Sequence, residues 1–157
     1  MKQLLWCGVL ALNLAIVAFY WYQDQGTAFN QGWETSLVSC GRLAGLLAAW
    51  LAMLQLLLVS RAVWLEPRFG LDRLTRLHGR SGILIAGLLI LHAGALTAGL
   101  AFRDDLSWRA QLLDFWDNWE DVALAQTALP IMLAAVCLSV SPLRRRHRLK
   151  PHRVLAS

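Results

Sequence analysis

The sequence predicts an all-α membrane protein, a polytopic helical bundle. Three observations carry that expectation. Charged residues make up only 16% of the 157-residue chain, against 57% hydrophobic, a balance typical of membrane spans and foreign to most soluble domains. Four stretches, residues 4–22, 43–60, 81–102 and 122–143, are apolar and long enough to cross a bilayer. Lysine and arginine gather in connections that fall on one side of such a bundle. The length suits a single membrane domain over residues 1–157.

The first span holds no charge and ends in Tyr20, Trp21 and Tyr22, an aromatic belt suited to the lipid–water interface. It is longer than the apolar core of a secretory leader and lacks a small-residue cleavage site, so it reads as a retained helix. Residues 23–36 contain Asp24, Gly26, Asn30, Gly32 and Glu34 and read as an exposed connection. The second span carries Arg42 at its outer end. Gly41, Ala44, Gly45, Ala48 and Ala49 make it slim, which lets a neighbouring helix approach closely.

Residues 61–80 form a basic block with five arginines, broken by Pro67 and Gly70. Asp72 is the expected N-cap of the third helix, which then starts before His78 and spans residues 81–102. The next connection, 103–121, has six carboxylates against Arg103 and Arg109, and Leu112, Phe115, Trp116 and Trp119 recur at helical spacing. That pattern predicts a short amphipathic helix lying in the membrane surface. The fourth span contains Pro130, an expected kink. A tail with six basic residues follows.

The distribution of Lys and Arg orients the bundle with both termini inside. The net charge of +5 does not point to nucleic acid, because the basic residues abut apolar spans, where they set topology and meet anionic lipid. Cys7, Cys40 and Cys137 are scattered over separate spans and show no metal-like spacing.

The chemistry-bearing feature is a pair of histidines, His78 and His92, fourteen residues apart in one apolar run. At about 100° per residue the two lie about 40° from one line, hence on one helix face, with a rise of about 21 Å between them. Imidazole is a usual axial ligand of haem iron. The spacing suits two haems stacked across a bilayer, one near each surface. In the competing reading His92 is an ordinary buried polar group and His78 an interfacial one. Gly79, Gly82, Ala93 and Gly94 would admit a flat macrocycle or simply a neighbouring helix. Arg42 outside, and Arg76 or Arg80 inside, are candidate partners for haem propionates, or else snorkel and set topology. His147 and His152 sit five apart in the basic tail and read as a solvated juxtamembrane run. There is no CxxC, HExxH, phosphate loop or nucleotide fingerprint.

These residues resemble a known family. The stretch from Gly41 to Gly94, with its slim helix ending in Arg61, then Trp64-Leu65-Glu66, Gly70-Leu71-Asp72-Arg73 and His78-x13-His92, is similar to the ferric reductase-like transmembrane domain of ferric reductases and NADPH oxidases, most closely its bacterial members. Ser141-Pro142-Leu143-Arg144-Arg145-Arg146 resembles the basic lead-in to that family's fifth membrane helix. The resemblance implies six membrane helices and two b-type haems. It assigns one ligand of each haem to the third helix, here His78 and His92, and the other two to a fifth helix. It also implies flavin (FAD) and NAD(P)H domains that feed electrons to an outer acceptor. The chain departs from this pattern after Arg148, where the fifth and sixth helices and both nucleotide domains are absent. The expectation is therefore the front portion of a haem domain in an inner (plasma) membrane, performing transmembrane electron transfer with partner membrane helices or a flavoprotein reductase. The alternatives are a haem-binding subunit of a separate reductase and a haem-free membrane interaction protein.

Overall fold

The structure is a computed structural model that describes residues 2–60, 67 and 70–140. Among them every regular element is helical. Helix α1 is Lys2–Gln25, a 3-10 turn covers Ala28–Asn30, α2 is Trp33–Val59, α3 is Leu71–Arg103, α4 is Trp108–Asn118 and α5 is Glu120–Val140. Of the described residues, three segments are long and apolar enough to cross a membrane: Trp33–Val59, Leu71–Arg103 and Glu120–Ser139. The all-α membrane architecture expected from the sequence is present. Arg61, Trp64, Leu65 and Glu66, together with the tail that holds His147 and His152, lie outside the described residues.

The helices outrun the apolar stretches. Helix α2 begins about ten residues before its expected span, and the supposed exposed connection is largely helix. Glycine sets the starts. Gly32 at φ 136° and Gly70 at φ 70° stand just before α2 and α3, in backbone regions that residues with a Cβ rarely adopt. Gly70, not Asp72, is the N-cap of α3, and Asp72 sits inside the first turn, where a carboxylate favours the helix dipole. Hydropathy marks what lipid can cover. The hydrogen-bond ladder continues until a residue interrupts it. At 33 residues α3 is about 50 Å long, more than the hydrocarbon needs.

The far end of α3 closes on Asp105, a non-glycine at φ 52°, with Leu106 N–H donating to Ala101 O at 2.8 Å. This is the left-handed stop usually made by glycine. Beside it, the Arg103 guanidinium hydrogen-bonds Asp104 and holds that carboxyl below its usual range. The expected short helix between the third and fourth spans exists as α4. Ser107 caps it by accepting from Ala110 N–H at 3.2 Å. Phe115 is buried, while Leu112, Trp116 and Trp119 are exposed. Helix α5 runs through Pro130 without a break in its assignment.

The antiparallel pair α2–α3 is the core. The residues buried on α2 are Val38, Ser39, Gly41, Ala44 and Ala48, and those on α3 include Ile85, Ala95, Ala98, Gly99 and Ala101, with Gly41 against Ala95 and Gly99 against Val38. Most are small, so the backbones come close. A Cβ on Gly99 would lie 2.6 Å from Val38 Cγ2 and 2.9 Å from Glu34 O. Dispersion between close backbones is what holds membrane helices together, since lipid removes the hydrophobic drive. Helix α1 touches α2 only lightly. Its tie is Trp21 Nε1–H donating to Ser39 O at 3.1 Å. The many exposed apolar side chains, such as Leu56, Leu124 and Ile131, suit contact with hydrocarbon rather than water.

Candidate haem-ligand site

Helix α2 meets α3 in a register that pairs Gly41 with His92 and Gln55 with His78. The members of each pair of levels stand fourteen residues apart along their own helix. At the first level, His92 Nδ1 lies 2.8 Å from Gly41 O. A carbonyl oxygen can only accept, so Nδ1 carries a proton, and in the neutral ring Nε2 keeps its lone pair. No described residue hydrogen-bonds Nε2. This tautomer leaves the lone pair a metal needs.

The Gly41 carbonyl is reachable because of Gly45. A Cβ on Gly45 would stand 2.6 Å from His92 Nδ1, 2.7 Å from Cε1 and 3.1 Å from Cγ. The imidazole therefore occupies the room that any side chain at 45 would fill. Half-buried, it also lines a cleft of ≈ 780 Å³ between α1, α2 and α3, within the size range of cofactor pockets. The apolar wall includes Ile16, Val17, Leu46 and Leu89, with Tyr20 and Trp21 contributed by α1. Arg42, Asp24 and Gln25 supply the polar lining. Arg42 Nη1 stands 3.8 Å from Asp24 Oδ2, and both side chains are largely exposed. Such a pair contributes little stability but places a cation on the wall of the cleft that His92 lines.

The second level differs. Gln55 Nε2 donates to the backbone oxygen of His78 at 2.9 Å, so α2 grips the main chain there and leaves the ring alone. The His78 side chain is exposed, as are Arg76 and Arg80. The nearby apolar cleft of ≈ 320 Å³, lined by Leu54, Leu58, Leu74, Leu77 and Ser81 among others, does not include it. Among the described residues no cluster of three or more His, Cys, Asp or Glu could hold a metal ion.

Thus the structure brings Arg42 and His92 to one cleft, while His78, Arg76 and Arg80 are exposed near the start of α3 and are not gathered at a cleft. Sequence reasoning missed the roles of Gly41 O, Gly45 and Gln55. The Gly41-x3-Gly45 spacing was visible, but it signals only close packing. Which glycine faces which side chain depends on the register of two helices distant in sequence. Residues that fit a haem are present at the His92 level: an imidazole whose Nε2 has no hydrogen-bond partner among the described residues, a glycine notch behind it, apolar walls and a cation.

A family model described as ferric reductase like transmembrane component matches residues 44–155, a stretch that includes both His78 and His92. No curated protein and no solved structure matches the chain.

Proposed function

The chain belongs to the ferric reductase-like transmembrane family, and from that premise we propose that it carries electrons across a bilayer through b-type haem. His92 would hold the haem at the outer level and His78 the haem at the inner one. The observation that supports this reading is the His92 tautomer. Its Nδ1–H is committed to Gly41 O at 2.8 Å, and its Nε2 is uncommitted on a ring that lines a cofactor-sized cleft. Haem held by imidazole would supply one-electron exchange.

The residues of this chain do the holding and the tuning. The Gly41 carbonyl raises the basicity of His92 and fixes its ring plane. Ile16, Val17, Leu46 and Leu89 exclude water from the ligand's surroundings. Arg42 offers a positive charge for a propionate at the rim, with Asp24 steadying it. Arg76 and Arg80 are exposed near His78 in sequence, two residues to either side of it and so on another face of α3, and would meet a propionate only at the membrane surface. Two centres about 21 Å apart divide a crossing of about 30 Å. In this reading α1 also crosses, giving four spans with both termini inside a plasma membrane. Partner membrane helices would supply the remaining ligands, and a flavoprotein that uses FAD and NAD(P)H would supply the electrons.

A haem-free membrane interaction protein is the second reading. It is favoured by the same hydrogen bond, which already satisfies the polar group of a half-buried histidine. One experiment separates the two. The full chain is produced in its native membranes, where partner helices are present, with haem supplied, and the reduced-minus-oxidised spectrum is recorded. A b-type signal that shrinks in His92→Ala and in His78→Ala supports electron transfer. A silent spectrum under haem-replete conditions refutes it.

A further inference from the structure

We propose that Gly45 is a positioning residue for His92, through which α2 selects the tautomer and the direction of the iron-binding nitrogen. The proposal rests on the haem-ligand reading and concerns only the outer level. Inside a helix, a carbonyl oxygen is screened in part by the side chain four residues later. Gly45 is that residue for Gly41, and it has no side chain. The opening admits the His92 ring to a lone pair of Gly41 O, at 2.8 Å.

A methyl group at 45 would meet three ring atoms, at 2.6, 2.7 and 3.1 Å. These atoms belong to a side chain that can swing away, so the strain is relieved by losing the bond to Gly41 O. With that bond gone, nothing described fixes which nitrogen carries the proton. Elsewhere in the same interface glycine has a different task. Gly99 faces Val38 and the Glu34 carbonyl, away from the ring, and serves packing alone. At the inner level the corresponding notch lies on α3 and serves the other helix: Gly82, four residues after His78, would place a Cβ 3.2 Å from Gln55 Nε2, so it admits the Gln55 amide to His78 O and does not orient the His78 ring. The two histidines therefore differ in kind. One is aimed before any cofactor arrives, and the other is free to turn.

The test uses the full chain in detergent micelles with 15N-labelled histidine. First, without haem, the ring-nitrogen shifts of His92 report its tautomer. The wild type should show a single Nδ1–H form, and Gly45→Ala a mixture of the two tautomers. Second, with haem, Gly45→Ala should weaken retention at the outer level about tenfold or more, the usual scale for losing the hydrogen bond behind a ligating histidine. Gly99→Ala burdens the same helix pair without touching the ring and should leave the tautomer unchanged. A wild-type His92 protonated on Nε2, an unaltered tautomer in Gly45→Ala, or the same mixture in Gly99→Ala would each overturn the proposal. If Gly45→Ala does not fold, the wild-type tautomer alone still decides. Failure of haem uptake by the wild type would strike the haem reading, while the haem-free spectrum would still report whether α2 orients the ring.

Discussion

The imidazole of His92 fills the space above Gly45, so that a Cβ there would lie 2.6 Å from Nδ1. That contact joins two scales of the molecule. It is one of the close approaches that let α2 and α3 pack through small residues. It also exposes the backbone acceptor that orients a histidine placed against a cleft. Fourteen residues along each helix, Gln55 and His78 repeat the meeting with the roles reversed: the side chain comes from α2 and the carbonyl from α3. The same antiparallel pair thus clasps twice, once at each level.

Gln55 should tolerate an apolar replacement better than an anionic one. Its Nε2 bonds His78 O, and its Oε1 is buried without a partner. Gln55→Leu loses one bond but also removes an orphaned acceptor, for a net change within about 1 kcal/mol. Gln55→Glu, when ionised, leaves two acceptors facing each other and costs about 1–3 kcal/mol. Unfolding of the two variants in mixed micelles should give that order, and the reverse order would show that the clasp is not formed.

Glycines on the two sides of α3 should respond in opposite directions. Gly99→Ala drives a methyl against the short, stiff Val38 side chain and the α2 backbone at Glu34 O and Val38 N, and should destabilise by about 1–3 kcal/mol. Gly87 has nothing within 4 Å of its absent Cβ, so Gly87→Ala should gain up to about 1 kcal/mol of helix propensity. Thermal unfolding in detergent measures both. A destabilising Gly87→Ala would mean that another surface covers that face.

Trp21 should govern the docking of α1. Its Nε1–H to Ser39 O is the hydrogen bond that ties the end of α1 to α2, and its ring meets Phe29 edge-on at 6.2 Å. Trp21→Phe keeps the aromatic bulk and loses about 1 kcal/mol with the bond. Hydrogen exchange at residues 20–25 should accelerate, with no change in α3. Because Trp21 also lines the cleft beside His92, any haem signal should become more heterogeneous.

Ser107 and Asp105 should control the turn between α3 and α4. Ser107→Ala removes the cap on Ala110 N–H and should cost about 1 kcal/mol, read as faster exchange in the first turn of α4. Asp105→Gly relieves a left-handed backbone and should stabilise by up to about 1 kcal/mol, whereas Asp105→Val should destabilise.

Much of this was legible in the residues. The apolar runs that became α2, α3 and α5, the amphipathic segment that became α4, and the slimness of α2 each follow from local composition and period. His78 and His92 were visible as a pair because helical geometry fixes where residues fourteen apart must lie. The helix starts were misread. Hydropathy follows the lipid, whereas Gly32 and Gly70 stop the hydrogen-bond ladder by backbone conformation.

What the sequence by itself determined is the set of helices and the face each presents, because both depend on neighbours within a turn or two. Only the tertiary structure decided that His92 turns its Nδ1 to Gly41 over the notch at Gly45 while His78 stays open. Those contacts join residues 51 and 47 positions apart. They depend on the register in which two close-packed helices settle, and no local pattern in either helix specifies it.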